Sequence, residues 1–526
     1  MKKGEEGFEG LPSKLGVIVR NIDNEKIRGF RWFQEKALNI VDKCLYDYAI
    51  LYIDESIIII AAFIDFIVKS LNADERKSRY YFPLIIRKNM LSNDYLISYE
   101  GDNFTAYIYD AVDDIEYIRC MDRILLEGKN IDFVSGAKLV PHRLLTYDIY
   151  NSERLNNKSS NSLTLLKKNE IIKTFRRMVH GLNPDLEMTY MLRKSGFSNV
   201  QDIRGYFLYV DSDNNIYTIS MIAEYIDNIA DMWQYTQDYL KDFLVKYKGN
   251  KIDLSYIYEN CNDYLKEVKE MSLMIANMHI RLSAVKDKNF GVAEPKESDI
   301  DNLSNEIITN LNLLFNYIKC GIYDSEVNDM VKKISTNKEF LLKKISNIKQ
   351  YMPNFGKYIR CHGDLHLEQI LKTNYGYVLI DFEGEPTKSI CERSKHLSPL
   401  KDVAGMIRSF NYAAYSAYFE YKDSLPNKGY DIKNVENLLS IWADVVTNIF
   451  IDNYINTIKS VTPDLIPDVE HFDAIIALYK LDKALFEAIY EVNNRPTWFK
   501  IPLKGIIECI EGLKNKRVDV EEAYYG

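Results

Sequence analysis

The sequence predicts an α+β fold with its strands first and its helices last. Runs of β-branched and aromatic residues crowd the chain up to Ile226. Helical periodicity dominates beyond Asp231. A single short apolar run, Tyr377 to Ile380, breaks the helical part and ends on Asp381. At 526 residues, 47% hydrophobic and 27% charged, the chain has the composition of a globular protein and length enough for more than one core.

The segments justify that reading in order. YAILYID (48–54) and SIIIIAAFIDFIV (56–68) are β-branched runs parted by Asp54 and Glu55, a hairpin pattern. YFPLIIR and NFTAYIYDAV continue strand-like to Val112, so the first segment reads as strands and turns. A helix is expected over Asp114–Glu127, leading to GAKLV. The polar segment NSERLNNKSSNS (151–162) precedes LTLLKKNEIIKTF, which reads as two strands joined by a Lys-Lys-Asn-Glu turn. Asn183-Pro184 followed by acids suits a helix N-terminus, with helical periodicity from Leu186 to Leu192. Strands return at YFLYV and IYTISMIAEYI. As domains, residues 1–95 form a cap subdomain and 96–142 an intermediate one. Residues 143–228 form a small mixed lobe with a hinge, and 229–526 a mainly helical lobe.

Composition excludes several classes. A net charge of −9 lacks the basic footprint of nucleic-acid or anionic-membrane binding. Cys44, Cys120, Cys261, Cys320, Cys361, Cys391 and Cys509 are odd in number and irregularly spaced, with no C-x-x-C pair. They read as reduced thiols of a cytoplasmic protein. The N-terminus has no apolar signal core, and the run Ile57–Ile64 is cut by Asp65, too short to span a bilayer.

The chemistry is concentrated in RCHGDLHLEQILKTNYGYVLIDFEGEP (360–386). Asp364 stands five residues before Gln369, and an apolar run then delivers Asp381. Phosphoryl transfer needs this set: an aspartate on the acceptor hydroxyl, an amide and a strand-end aspartate on Mg²⁺, all by positioning and charge neutralisation. Gln369, Asp381 and Glu383 are hard oxygen ligands for the ion, and His362 reads as a brace of the loop. His362 and His366, four apart, also allow a metal site, but lack the Glu of H-E-x-x-H. The order of the motifs points to an ATP- and Mg²⁺-dependent phosphotransferase with a bilobal, protein-kinase-like fold. That fold has an N-terminal β-containing cap module, a small mixed N-lobe and a large mainly helical C-lobe.

Such an enzyme needs an N-lobe lysine on the phosphates and a helical glutamate to hold it. Lys173 in IIKTFRR and Glu187 on the following helix take those roles. Ser160, Asn161 and Ser162 lie where a phosphate-covering loop belongs, though without G-x-G-x-x-G. The backbone at Ala223 and Glu224 is the expected adenine hinge. Each reads equally as an ordinary surface or strand-end residue. Lys483, Phe486, Glu487, Tyr490 and Glu491 share one broad helical face, suited to a polyhydroxylated sugar or to packing.

The chain resembles the maltokinase family, a branch of the aminoglycoside-phosphotransferase-like kinases. The resemblance runs nearly end to end, through RWFQEK, IIKTFRRMVHGLNPDLE, AEYIDNIADMW, HGDLHLEQIL, IDFEGEP, SPLKDVAGMIRSFNYAA and LDKALFEAIYEVNNRPTW. It implies transfer of phosphate from ATP to the anomeric hydroxyl of maltose, giving maltose 1-phosphate for α-glucan or glycogen building. It also implies association with a trehalose synthase. By motif it implies Asp364 as catalytic base, Gln369 and Asp381 on Mg²⁺, and Lys173 with Glu187 on the phosphates. Asp402, Arg408, Lys483 and Tyr490 would then fall in the acceptor pocket. Phe486 departs from the family's Tyr and removes a hydroxyl contact, a loss of ~1 kcal/mol if its partner is buried. A kinase for another sugar or aminosugar, such as glucosamine, is therefore the alternative. A non-catalytic, pseudokinase-like binding protein is a third reading, opposed by the intact Lys173, Asp364, Gln369 and Asp381.

Overall fold

In a computed structural model the described residues are 8, 10–69, 74–101, 104–144, 153–154, 162–167, 170–247, 253–321, 323–424 and 432–514. The chain divides into two compact units, residues 1–190 with 201–227, and residues 191–200 with 228–526.

The first unit holds two antiparallel sheets. Its strands are β1 (Asn39–Ile53), β2 (Ile57–Lys69), β3 (Arg76–Tyr81), β4 (Leu84–Arg87), β5 (Ile97–Glu100), β6 (Thr105–Asp110), β7 (Ile131–Asp132), β8 (Lys138–Arg143), β9 (Glu153–Arg154), β10 (Ser162–Lys167), β11 (Glu170–Thr174), β12 (Ile203–Val210) and β13 (Ile216–Glu224). The first sheet runs β1-β2-β4-β6-β5, with β3 also on β2. The second runs β7-β8-β12-β13-β11-β10-β9. Segment 96–142 thus supplies strands to both sheets. The hairpin expected at Asp54 is present: its carboxylate accepts from the backbone of Ser56 and Ile57.

The β2 strand shows why the apolar run is continuous rather than alternating. Ile57, Ile59, Ala61 and Phe63 face a core shared with the second sheet and with helix α3 (Ile115–Glu127). Ile58, Ile60, Ala62, Ile64 and Phe66 face the opposite way, into a core closed by α1 (Leu11–Arg20) and α2 (Asn24–Gly29). A strand covered on both faces needs apolar residues at every position, and each isoleucine so buried contributes about 1.5–3 kcal/mol. The sequence predicts strands alone in this segment; the two helices are additional. Leu11, Leu15, Ile18 and Val19 recur at helical spacing and are buried, with Pro12 in the first turn. The predicted α3 begins at Asp114, whose side chain caps Glu116 N–H, and stops at Gly128 with φ +66°.

Helix α4 (Pro184–Lys194) starts where Asn183-Pro184 predicts. The second unit is mainly helical: α5 (Met232–Lys246), α6 (Leu254–Asn260), α7 (Asn262–Ser283), α8 (Glu297–Cys320), α9 (Ser325–Thr336), α10 (Lys338–Ser346), α11 (Ile390–Arg393), α12 (Leu400–Ser424), α13 (Ile432–Val461), α14 (Val469–Asn494) and α15 (Lys500–Lys514). A small antiparallel sheet, β14 (Ala230–Asp231), β15 (Ile370–Thr373) and β16 (Gly376–Leu379), carries the two motif loops. Among the described residues no helix is long and apolar enough to cross a membrane.

Candidate active site

Two loops of the second unit meet at its centre. The first, Arg360–Gln369, leads into β15; the second, Ile380–Glu385, leaves β16. Pairing of β15 with β16 brings their ends together, and the Ile380 N–H donates to the Gln369 carbonyl at 3.0 Å. Gly363 (φ +84°) and Gly384 (φ +71°) face each other so closely that a Cβ on Gly363 would stand 3.4 Å from Gly384 Cα. Between the strand and that glycine, Asp381 adopts φ +64°, a conformation L-residues rarely take. Such strain persists where surrounding structure enforces it, commonly at functional sites.

Asp402 is the anchor of the first loop. It is fully buried at the start of α12 and accepts from His362 N–H and Gly363 N–H, each at 2.9 Å. Its Oδ2 also meets His279 Nε2 at 3.1 Å, and His279 Nδ1 meets the Tyr454 hydroxyl at 2.8 Å. Burial pushes the carboxyl upward, but His279, His362 and the Gly363 N–H together outweigh it and the group stays below the usual carboxylate range. This corrects the placement of Asp402 in the acceptor pocket: with no exposed surface it holds the loop and touches no acceptor. The neighbouring Lys401 reaches Glu385 at 2.6 Å, so adjacent residues of α12 tether both loops. His362 braces as expected, its Nε2 meeting the Ile380 carbonyl at 3.0 Å and its ring packing on Phe382.

Asp364, the expected base, is about a quarter exposed and accepts from Lys483 Nζ at 2.8 Å. Burial alone would raise its carboxyl; the Lys483 ammonium, with His366 and His362, more than offsets this and holds it down to about 2. Gln369 lies 3.2 Å from His366 through its amide nitrogen, leaving the amide oxygen as the donor suited to a hard cation. Glu383 is held by Arg393, whose Nη1 donates to the Glu383 carbonyl at 2.9 Å. Gln369, Asp381 and Glu383 thus offer the all-oxygen donor set that Mg²⁺ prefers.

On the expected acceptor side a cleft of about 410 Å³ opens above Asp364, lined by α14 together with Trp233, Ser409, Tyr412 and Trp498. Lys483, Glu487 and Tyr490 of the expected pocket line it, with Phe486. Arg408 does not. It is buried beneath the cleft, 2.9 Å from Glu487 and over the ring of Tyr412, and acts on the cleft through those two residues. Trp233, Tyr412, Arg495 and Trp498 are members that sequence spacing alone does not reveal, because they come from three other elements.

The residues expected to meet the nucleotide are on the first unit. Lys173 on β11 is buried, and Asp185, in the first turn of α4, is a carboxylate partner at 2.6 Å that the sequence reading leaves out. Glu187 follows on the same turn. Ser162 lies within β10, not a loop, its hydroxyl accepting from Arg176 Nε; Ser160 and Asn161 lie outside the described residues. Ala223 and Glu224 close β13 rather than follow it. Glu224 N–H donates to the Asp202 carbonyl, and Glu224 C=O accepts from Gln201 Nε2. Both backbone groups of Glu224 have partners in the Gln201–Asp202 segment that precedes β12.

No family model matches the chain. It is 25% identical over 158 residues to a glucosamine kinase of Streptacidiphilus jiangxiensis, 30% of this chain and 33% of that protein. It is 27% identical over 141 residues to one of Mycolicibacterium smegmatis, 27% and 32% of the two chains. The chain thus spans about a third of the length of these curated relatives. Among solved structures, a glucosamine kinase in complex with glucosamine, ADP and inorganic phosphate matches with TM-score 0.62 at 14% identity, covering 94% of this chain and 98% of that one. A second crystal form gives 0.64 at 14% identity, with 94% and 99% covered. The fold is the α+β, kinase-like fold of those structures.

Proposed function

We propose that the protein transfers the γ-phosphoryl group of ATP to a sugar hydroxyl, and that the sugar carries an amine, as glucosamine does. The observation that carries the reading is Asp364 opening onto a cleft of aromatic rings and carboxylates, with Asp381 held in a left-handed conformation on the facing loop. The acceptor hydroxyl donates to Asp364 and its oxygen forms the new bond to γ-phosphorus. The bond from that phosphorus to the β-bridging oxygen breaks, ADP leaves, and the hydroxyl proton passes to Asp364. A carboxylate held near 2 is a weak base. Its main work is orientation, which suffices because the transition state is loose. Gln369, Asp381 and Glu383 would hold Mg²⁺, which would supply neutralisation of phosphate charge. Lys173 is the cation for phosphate oxygens on the first unit.

The ammonium preference rests on Glu487. Its carboxylate lines the cleft while its partner Arg408 is buried behind it, so a carboxylate acceptor is presented to the ligand beside Lys483. The likeness of fold to glucosamine kinase and the two partial sequence matches agree with this choice. Maltose phosphorylated at its anomeric hydroxyl is the second reading. It is favoured by IDFEGEP and DVAGMIRSFNYAA and by Lys483 and Tyr490 in the cleft. On that reading a trehalose synthase is a partner.

ADP release over glucosamine, maltose, glucose, trehalose and kanamycin separates these readings. Glucosamine is expected to give the highest kcat/KM, and Asp364→Asn to lower it by about 10²–10⁴-fold. Turnover on maltose alone would replace the amine reading, and turnover unaffected by Asp364→Asn would remove both.

A further inference from the structure

Along the same cleft the two Glu–Arg pairs of α14 reverse which partner is exposed. The doublet Phe486-Glu487 recurs one turn later as Tyr490-Glu491, about 6 Å up the helix axis. Each glutamate has an arginine partner, yet the exposures are opposite. At the inner level the arginine side chain is 1% exposed and Glu487 faces the cleft at 13%. At the outer level Glu491 is 2% exposed and its partner Arg495 is 46% exposed. Glu491 fixes Arg495 bidentately, accepting from Nε at 3.0 Å and Nη2 at 2.6 Å. The guanidinium also lies over the rings of Tyr490 and Trp498, at 5.6 and 4.6 Å. A guanidinium so fixed keeps outward N–H donors, already oriented, for an anion.

We propose that the outer end of the cleft, Arg495 with Tyr490 and Trp498, is an anion subsite. The acceptor would then be an aminosugar bearing a carboxylate or phosphate on the side away from Asp364. The inference rests on the phosphotransferase reading and deepens it. A neutral sugar leaves Arg495 without a use, and a di-cationic acceptor places a second ammonium against it. The ordinary alternative is that Arg495 only neutralises the C-terminus of α14.

The test compares glucosamine, muramic acid (carboxylate) and glucosamine 6-phosphate as acceptors for wild type, Arg495→Gln and Arg495→Lys. ADP release is measured at two ionic strengths, and ATP-free binding by calorimetry. One charge-assisted contact predicts a kcat/KM at least about tenfold above glucosamine for one of the anionic sugars, expressed mainly in KM. The ratio should collapse toward one in Arg495→Gln, recover in part in Arg495→Lys, and shrink with salt. Whichever anionic sugar gains identifies the group. Equal kcat/KM for all three sugars, or an equal loss on all three in Arg495→Gln, would overturn the subsite while leaving sugar phosphorylation intact. Should no sugar turn over, the parent reading fails. Binding of an anionic sugar that Arg495→Gln abolishes would still support the subsite, and absence of binding would overturn it.

Discussion

Lys483 sets the state in which Asp364 waits. The ammonium at 2.8 Å is the leading stabiliser of the carboxylate, and with His366 and His362 it outweighs burial. Lys483 is itself raised: burial pulls it down, but Asp364 and then Glu487 pull it further up. The Asp364 side contributes stability that is complete above its unfolded pKa and lost as pH falls through about 2. The Lys483 side contributes below its unfolded value and is lost as pH rises through the raised one. In Lys483→Met, burial of Asp364 is less fully offset, so the acid limb of the kcat/KM–pH profile should move up by about one unit or more. An unmoved acid limb would mean that Lys483 serves only the acceptor. The catalytic motif itself is legible in the sequence, since HGD, Gln369 and Asp381 are close in the chain. The partnership of Asp364 with Lys483 spans 119 residues, and spacing gives no hint of it.

Among the elements, α12 does most to shape the site. Lys401 holds one motif loop and Asp402 the other, and one turn on Gly405 lets the helix lie against the first loop. A Cβ there would stand 2.3 Å from the Leu365 carbonyl oxygen. Gly405→Ala should therefore cost about 1–3 kcal/mol by overpacking, with kcat falling more than acceptor KM rises. Thermal unfolding together with steady-state kinetics checks both; an unchanged melting temperature would show that the loop yields freely. Helix positions and strand runs were readable because their periodicities are local. Whether a polar helix residue faces inward was not. Asp402 and Arg408, both named as acceptor contacts, proved to be buried supports, because burial depends on which helices pack against α12.

For the whole molecule, the sequence pattern anticipated α+β order but not the covering of β2 on both faces. An isoleucine run gives the same signal whether one face or two are packed, and the helices that close the second face precede it in the chain. Both cores should therefore be needed. Ile60→Ala on the α1/α2 side and Ile59→Ala on the α3 side should each cost about 2–5 kcal/mol, measured by denaturant unfolding. Near-neutral Ile60→Ala would mean that the α1/α2 layer is loosely held.

The α1/α2 layer also bears on how the protein is made and handled. The helices at 11–20 and 24–29 precede β2 in the chain, so during synthesis the cover is made before the strand it shields. Trimming them would bare the strand face formed by Ile58, Ile60, Ala62, Ile64 and Phe66, the kind of apolar surface on which chains self-associate. A shortened version should thus fail by precipitation rather than by any defect in phosphate chemistry. Supplying residues 8–38 as a separate peptide during refolding is the experiment that would separate those two failures.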